Sequence, residues 1–225
     1  MNYFKIIPIF IFTSLCYSQS EVNYYNIIDS VSELRIENDI KKLVSFGTRH
    51  TLSDTLSNSN GIGAARRWIK KSFTEISKNC DNCLEVSYQK NYFKKNKRRL
   101  VKDVWINNVI AIQRGKTNPN RFIIMSGDID SRVSDSNDFK SLSPGANDNA
   151  SGMAGVIEAA RVLSKYKFDN SIIYVGLSGE EQGLYGGAGL AKYAKEQNWE
   201  IIGVLNNDMI GNIEGVDGII DNVSF

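Results

Sequence analysis

The sequence predicts an α/β fold with a largely parallel central sheet, on the strength of three observations. Strand-like and helix-like segments alternate from residue 121 onward, which is the order that builds parallel sheets. Residues 171–177 and 201–205 are apolar runs with few polar positions, as expected of strands buried on both faces. Acidic residues follow these strands, and open α/β sheets bind ligands beyond the carboxyl ends of their strands.

Residues 1–18 have the features of a secretory signal peptide. A basic residue precedes an apolar stretch, residues 6–17, that is too short to span a bilayer comfortably. Cys16 and Ser18 are small residues at the −3 and −1 positions of a cleavage site, so residues 19–225 are the predicted mature domain. We therefore expect a secreted or periplasmic protein, since no other segment is long and apolar enough to cross a membrane.

The overall composition is that of a globular protein with a sizeable core. Of the 225 residues, 42% are hydrophobic and 23% are charged. The formal net charge of +2 gives no reason to expect nucleic acid or an anionic membrane as a partner. The composition does not indicate an oligomeric state.

The first half of the chain is predicted to contain two helices and a β-hairpin. Residues 27–46 and residues 60–76 place apolar side chains at helical spacing. Residues 84–93 and residues 104–113 are strand-like, and the basic run at residues 94–102 joins them as a solvated loop.

Cys80 and Cys83 form a Cys-x-x-Cys pair between the second helix and the hairpin. The chain has no second pair of this kind and no nearby His, so a structural zinc site is not expected. In an exported protein the two thiols are expected to form a short-loop disulfide, and a redox role is the alternative.

The second half alternates between strands and helices. The predicted strands are residues 121–126, 171–177 and 201–205, with a further strand beginning at residues 218–221. The predicted helices that connect them are residues 151–166 and 184–197.

Four short acidic clusters lie where these strands or their loops end, namely residues 128–130, 147–149, 180–181 and 207–208. Carboxylates gathered in this way repel one another unless a cation or a proton neutralises them, so the clusters predict a metal site. Adjacent side chains in a sharp turn point in different directions, so Glu181 can face a metal while Glu180 serves as general base. The alternative is that Asp148 and Glu181 cap helices.

Three segments resemble motifs of the secreted co-catalytic zinc aminopeptidases. This group includes bacterial leucyl aminopeptidases, glutamate carboxypeptidases and glutaminyl cyclases. The matching segments are 143–152 (SPGANDNASG), 178–183 (SGEEQG) and 206–211 (NNDMIG), and the resemblance extends roughly over residues 104–215. It implies a zinc-exopeptidase-like, three-layer αβα fold with a mixed, largely parallel sheet, and peptides as substrates.

The resemblance also implies a role for each acidic residue. Asp148 would bridge two zinc ions, while Glu181 would bind one of them and Asp208 the other. Glu180 would be the general base that takes a proton from the bridging water. Asp130 would orient a neighbouring ligand, as carboxylates behind a metal site commonly do.

Asp128 departs from the family pattern, because it stands where a His ligand is expected. An Asp can bind zinc through oxygen, but its added negative charge would weaken the metal as a Lewis acid and favour a harder ion such as manganese. The alternative is that Asp128 does not bind and only one metal is held.

The family places a final His ligand downstream of Asp208, and this chain has only His50, far upstream. His50 lies outside the acidic clusters and is expected to pack locally. These observations lead us to expect that the C-terminal part of the domain is missing and that one zinc ligand is absent from the chain. They also keep two alternatives open: a single-metal enzyme that resembles glutaminyl cyclases, and a non-catalytic or inactive fragment.

Overall fold

The computed structural model describes residues 24–96, 98–212 and 214, and these residues build a single five-stranded sheet. The sheet has the order β1-β2-β4-β3-β5. Its strands are β1 (Leu84–Phe93), β2 (Val104–Gln113), β3 (Asn118–Asp128), β4 (Asn170–Leu177) and β5 (Glu200–Asn207). Strand β2 runs antiparallel to β1 and β4, whereas β3 runs parallel to β4 and β5, so the sheet is mixed.

Five α-helices accompany the sheet in the described residues. They are α1 (Tyr24–Asp29), α2 (Glu33–Val44), α3 (Gly61–Lys78), α4 (Gly152–Leu163) and α5 (Tyr185–Glu196), and a π-helical turn (Ala146–Ser151) precedes α4. None of these helices combines the length and the apolar character that crossing a bilayer requires.

The helices cover both faces of the sheet and give three layers. Val109 and Ala111 of β2 share one apolar cluster with side chains of α2, α3 and α4, such as Phe73. The intervening residue Ile110 faces the opposite cluster, to which Leu190 of α5 contributes. This alternation follows from the two-residue period of a strand and confirms the predicted αβα arrangement.

The predicted helix over residues 27–46 is two helices in the structure. Helix α1 ends at Asp29 and α2 begins at Glu33, because Ser32 has an extended backbone and its side chain accepts a hydrogen bond from the Arg35 amide. A serine that caps in this way satisfies an amide that would otherwise lack a partner, and it starts a new helix.

The prediction that residues 201–205 form a strand is confirmed, but the prediction that the strand is buried was wrong. Val204 is 58% exposed and Leu205 is 57% exposed. In the part of the chain that the structure describes, β5 pairs only with β3 and forms one edge of the sheet. The predicted signal peptide and the strand predicted at residues 218–221 lie outside the described residues.

The Cys80–Cys83 disulfide predicted from the sequence is present, with the two Cα atoms 5.4 Å apart. It lies in the turn that connects α3 to β1. A bridge between residues this close in sequence closes only a small loop, so its main effect is on that turn.

A buried ion-pair network joins α2 to α4. The Glu158 carboxylate accepts hydrogen bonds from Arg35 Nε at 3.0 Å, from the Ser32 amide at 2.9 Å and from Arg161 Nη1 at 3.1 Å. Arg161 also lies 2.6 Å from Asp39 Oδ2. Since the Glu158 side chain is only 2% exposed, its charge depends on these partners.

Candidate metal and active site

The acidic residues singled out in the sequence lie at the carboxyl-terminal edge of the three parallel strands. Asp128 is the last residue of β3, Glu180 and Glu181 follow the end of β4, and Asp208 follows the end of β5. Asp148 lies in the π-helical turn before α4. Parallel strands bring their carboxyl ends to one edge, so the order of the strands gathers residues that are far apart in sequence.

Asp130 is fully buried and holds the turn that carries the two glutamates. Its carboxylate accepts hydrogen bonds from the amides of Gly179 (2.8 Å), Glu180 (3.2 Å) and Glu181 (3.2 Å). The Thr51 hydroxyl donates a fourth hydrogen bond at 2.7 Å. Burial raises the pKa of Asp130, while these donors favour its ionised form. Asp130 therefore fixes the backbone of the turn that carries Glu180 and Glu181.

Gly179 opens this turn with a backbone φ of +80°. Glycine adopts such a φ without the steric cost that a side chain would carry. The sharp reversal directly after β4 is what allows three successive amides, those of residues 179–181, to face one carboxylate.

Asn149 connects three of the elements that surround the site. Its Nδ2 donates to Asp128 Oδ2 at 3.3 Å and to the Asn207 carbonyl oxygen at 2.9 Å. Its Oδ1 accepts hydrogen bonds from the Gly152 amide at 3.0 Å and from the Met209 amide at 3.3 Å. The Asp148–Asn149 peptide bond is cis. Asn149 thus ties the ends of β3 and β5 to the start of α4, a function that sequence reasoning missed.

Arg132 forms an ion pair with one of the predicted metal ligands. Its Nε lies 2.5 Å from Glu181 Oε2. Arg99, from the basic run predicted to be a solvated loop, donates to the Glu181 carbonyl oxygen at 2.6 Å. Sequence reasoning missed both contacts, since 49 and 82 positions separate these arginines from Glu181.

Arg49 forms hydrogen bonds with the loops that carry Asp130 and Asp148. Sequence reasoning did not identify this role of Arg49. Its guanidinium is 1% exposed and donates to the carbonyl oxygens of Ile129 (2.8 Å), Pro144 (2.6 Å) and Gly145 (2.9 Å). Burial lowers the pKa of Arg49 to about 10, so it stays charged at neutral pH.

The carboxyl groups of the site raise one another's pKa. Burial and the charges of Asp130 and Glu180 raise the pKa of Asp128 to about 8. Burial and the neighbouring Glu181 raise the pKa of Glu180 to about 7. The pKa of Asp148 is raised by burial and then by the charge of Asp208. Carboxylates that repel one another in this way are stabilised when they bind either a proton or a cation.

The donor chemistry of the site fits a divalent cation. Asp128 is 5% exposed and, among the described residues, has no basic partner within ion-pair distance. In those same residues, however, no three His, Cys, Asp or Glu side chains converge on one point as a closed ligand set. The Arg132 ion pair occupies Oε2 of Glu181, so an ion held by Asp128, Asp148, Glu181 and Asp208 would compete with Arg132 for this carboxylate.

His50 is fully buried, and its contact with Leu52 is local as expected from the sequence, but it also contacts Ser136 and Gln182, which are 86 and 132 positions away. Its Nδ1 accepts from the Leu52 amide at 3.0 Å, and its Nε2 lies 3.0 Å from the Ser136 carbonyl oxygen. His50 Nε2 also lies 2.8 Å from the side-chain nitrogen Nε2 of Gln182, the residue after Glu181.

The helix-capping alternative for Asp148 and Glu181 does not hold. The residue at the N-cap of α4 is Ser151, and the one at the N-cap of α5 is Leu184. Neither acidic residue therefore occupies the N-cap position of these helices.

Comparisons with known proteins relate this chain to a family of peptidases. Residues 108–219 match the model of peptidase family M28. A "probable zinc metalloprotease" of Pyrenophora teres is 43% identical over 192 residues, which are 85% of this chain and 40% of that protein. The chain spans less than half the length of the curated relatives that it matches.

Solved structures share the fold at low sequence identity. An aminopeptidase from Aneurinibacillus has a TM-score of 0.63 and 17% identity, covering 85% of this chain and 74% of its own. A glutaminyl cyclase from Bacteroides thetaiotaomicron has a TM-score of 0.64 and 16% identity, covering 82% of this chain and 66% of its own. The match, which includes the three motifs and four of the acidic residues at the sheet edge, identifies residues 108–219 as a segment of peptidase family M28.

Proposed function

We propose that this chain carries the catalytic centre of a secreted or periplasmic zinc-dependent aminopeptidase, which removes N-terminal residues from peptides. The observation that carries the proposal is the state of Glu180. It is partly buried at the carboxyl edge of the parallel strands, among other acidic side chains, and its pKa is raised to about 7. A general base works best when its pKa lies near the operating pH.

Asp128, Asp148, Glu181 and Asp208 are the residues that would hold the zinc. Zinc, when bound, supplies Lewis acidity and lowers the pKa of a water molecule. Glu180 accepts the proton from the attacking water and later delivers it to the leaving amine. Asp130 keeps the turn at residues 179–181 fixed, so that Glu180 stays in place while protons move.

The relatives support zinc metalloprotease activity in general, and the three motifs support the more specific aminopeptidase activity. The fungal relative's name describes a zinc metalloprotease, and the chain shares a fold with an aminopeptidase. Because the chain spans less than half the length of such relatives, exopeptidase action, the number of metal ions and secretion all belong to the proposal. The predicted signal at residues 1–18 is the support for export.

The test uses two variants that act on different steps. Glu180→Gln is expected to retain zinc, measured by atomic absorption after dialysis, and to hydrolyse aminoacyl p-nitroanilides at least about 100-fold more slowly. Asp148→Ala is expected to lose zinc and activity together. Glu75→Gln, on the exposed side of α3, is the control and should change neither quantity. Full turnover in Glu180→Gln would refute the mechanism.

A single-metal enzyme that cyclises N-terminal glutamine is the second candidate, since a glutaminyl cyclase shares the fold. Incubation with a glutamine-initiated peptide separates the two reactions. Release of ammonia without a free amino acid would favour the cyclase, whereas a free amino acid would favour the peptidase. Failure to bind zinc at micromolar concentration would favour a non-catalytic protein.

A further inference from the structure

A cavity of about 810 Å³ lies between α3 and the β1–β2 hairpin. None of the acidic-cluster residues is part of its lining. The lining contains four basic residues, Arg66, Arg67, Lys90 and Lys102, and a single acidic one, Asp103. The Asp103 carboxylate already accepts hydrogen bonds from the Tyr92 hydroxyl at 2.7 Å and from the Lys95 amide at 2.8 Å. The cavity therefore has an excess of positive charge.

Arg66 is the buried member of this set. It is 7% exposed, and among the described residues it has no hydrogen bond and no ion pair. Burial lowers its pKa from the ordinary arginine value, although not enough to remove its charge at neutral pH. The nitrogen atoms of Arg66 are not among the fully buried unpaired atoms of the described residues, so they reach the cavity. A guanidinium with so little solvent contact is normally paired, because desolvation of an unpaired charge is costly.

Other buried or half-buried arginines of the protein show what Arg66 lacks. Arg49 is 1% exposed and donates to several carbonyl oxygens, and Arg161 pairs with Glu158 and Asp39. Arg132 pairs with Glu181. Arg66 faces a cavity instead of a protein acceptor, which is the arrangement of a residue whose partner is a ligand.

A second polar group in the lining also has no partner. The Oδ1 atom of Asn107 is buried and accepts no hydrogen bond from the described residues. The wall of the cavity therefore holds a polar side chain whose hydrogen-bonding capacity the described residues do not fill.

We propose that this cavity is a binding site for a small oxyanion, a phosphate or a carboxylate, with Arg66 as its anchor. A guanidinium presents a planar fork of N–H donors that matches both kinds of anion. Arg67 and Lys90 are exposed, so they attract the anion to the cavity through their charge. The cavity shares no residue with the acidic clusters, and the proposal does not rest on the proposed peptidase activity.

Calorimetric titration in Tris-chloride buffer tests the proposal with two separate ligands, inorganic phosphate and malate. We expect saturable binding of at least one of them, and the stronger of the two identifies the anion class. Arg66→Met should weaken binding at least tenfold. Arg121→Met, which removes an exposed arginine paired with Glu200 on another strand, should leave binding unchanged.

Asp148→Ala separates this site from the metal centre, because zinc itself binds phosphate and carboxylates. Binding that persists in Asp148→Ala and is lost in Arg66→Met assigns the anion to the cavity, whether or not the chain is a peptidase. Binding that is lost in Asp148→Ala, or retained in Arg66→Met, would overturn the proposal, as would the absence of binding for both anions.

The stability of Arg66→Met provides a further check. Without oxyanions it should melt at the same temperature as the wild type or higher, because the substitution removes an unpaired buried charge. Phosphate or malate should raise the melting temperature of the wild type only. Should Arg66→Met fail to fold, Lys90→Met serves in its place, and equal affinity of that exposed variant and the wild type would count against the proposal.

Discussion

Asp128 is a buried carboxyl group whose pKa is raised to about 8, so in the folded protein it stays protonated through neutral pH and ionises near pH 8. In the unfolded chain the pKa of an aspartate is about 3.9. At pH values between these two pKa values, Asp128 is protonated in the folded protein but ionised in the unfolded chain. The free energy of unfolding must therefore fall as pH rises through this window, and the contribution of Asp128 is fully present only below the lower value.

We predict that the protein treated with a chelator becomes less stable from pH 5 to pH 8. The contribution of Asp128 approaches about 1.4 kcal/mol per pH unit, the value for one bound proton. Urea unfolding at four pH values measures it, and Asp128→Asn removes it. Asp130, Glu180 and Asp208 are coupled to Asp128 through their charges, so the difference between the two slopes reports the titration of Asp128 together with its effect on these neighbours. Parallel slopes would show that Asp128 is ionised throughout.

Individual acidic residues could be predicted from the sequence because their motifs are local. Glu180 and Glu181 belong to one short segment, and so do Asp148 and its neighbours. The residues that position them could not be predicted in this way. Thr51 and Asp130 are 79 positions apart, and only the folded sheet brings them to 2.7 Å.

At the scale of elements, the contact between α2 and α4 depends on Glu158. Its partner Arg35 is 43% exposed at the side chain and can regain water, whereas Glu158 is 2% exposed and cannot. A buried carboxylate with several donors leaves those donors unpaired when its charge is removed.

We predict that Glu158→Gln lowers the free energy of unfolding by about 2 kcal/mol, since an uncharged amide cannot replace the carboxylate toward both Arg35 and Arg161. Chemical denaturation monitored by circular dichroism measures the loss. Glu37→Gln is the matched control, because Glu37 forms an exposed pair with Lys41 that contributes about 0.5 kcal/mol or less. Equal losses in the two variants would mean that the network contributes little.

The element boundaries show what a hydrophobic pattern can and cannot predict. The hairpin strands predicted at residues 84–93 and 104–113 have the same bounds as β1 and β2 in the structure, and the two strands pair antiparallel. The break before α2 was missed, because helical spacing continues across Ser32 while the capping hydrogen bond depends on its backbone conformation. The burial of β5 was predicted wrongly because composition does not reveal which neighbours cover a strand.

At the scale of the whole molecule, the strand order explains how one site collects residues from half the chain. The sheet places β3 between β4 and β5, all three parallel, so their carboxyl ends form one continuous edge. The αβα class could be predicted because alternating strands and helices have few stable arrangements. The antiparallel pairing of β2 with β4 could not, because strand adjacency is decided by contacts distant in sequence.

The same order predicts a gradient of stability across the sheet. Strand β4 is hydrogen-bonded on both sides and nearly all of its residues are buried, whereas β5 has one described partner and mostly exposed side chains. Local opening costs least where few apolar contacts and few shared hydrogen bonds are lost. We predict that amides of β5 exchange with deuterium at least about 100-fold faster than those of β4, as read by peptide-resolved mass spectrometry.

Strand β1 is the internal control for this gradient, because it is also an edge strand but packs one face against α3. The amides of β1 should exchange at a rate between those of β5 and β4, if burial of one strand face and hydrogen bonding along both strand edges each slow exchange. Protection of β5 equal to that of β4 at all protein concentrations would show that further residues of the same chain cover it. Protection that rises with concentration would instead show that the apolar side chains of β5 pack against a second molecule.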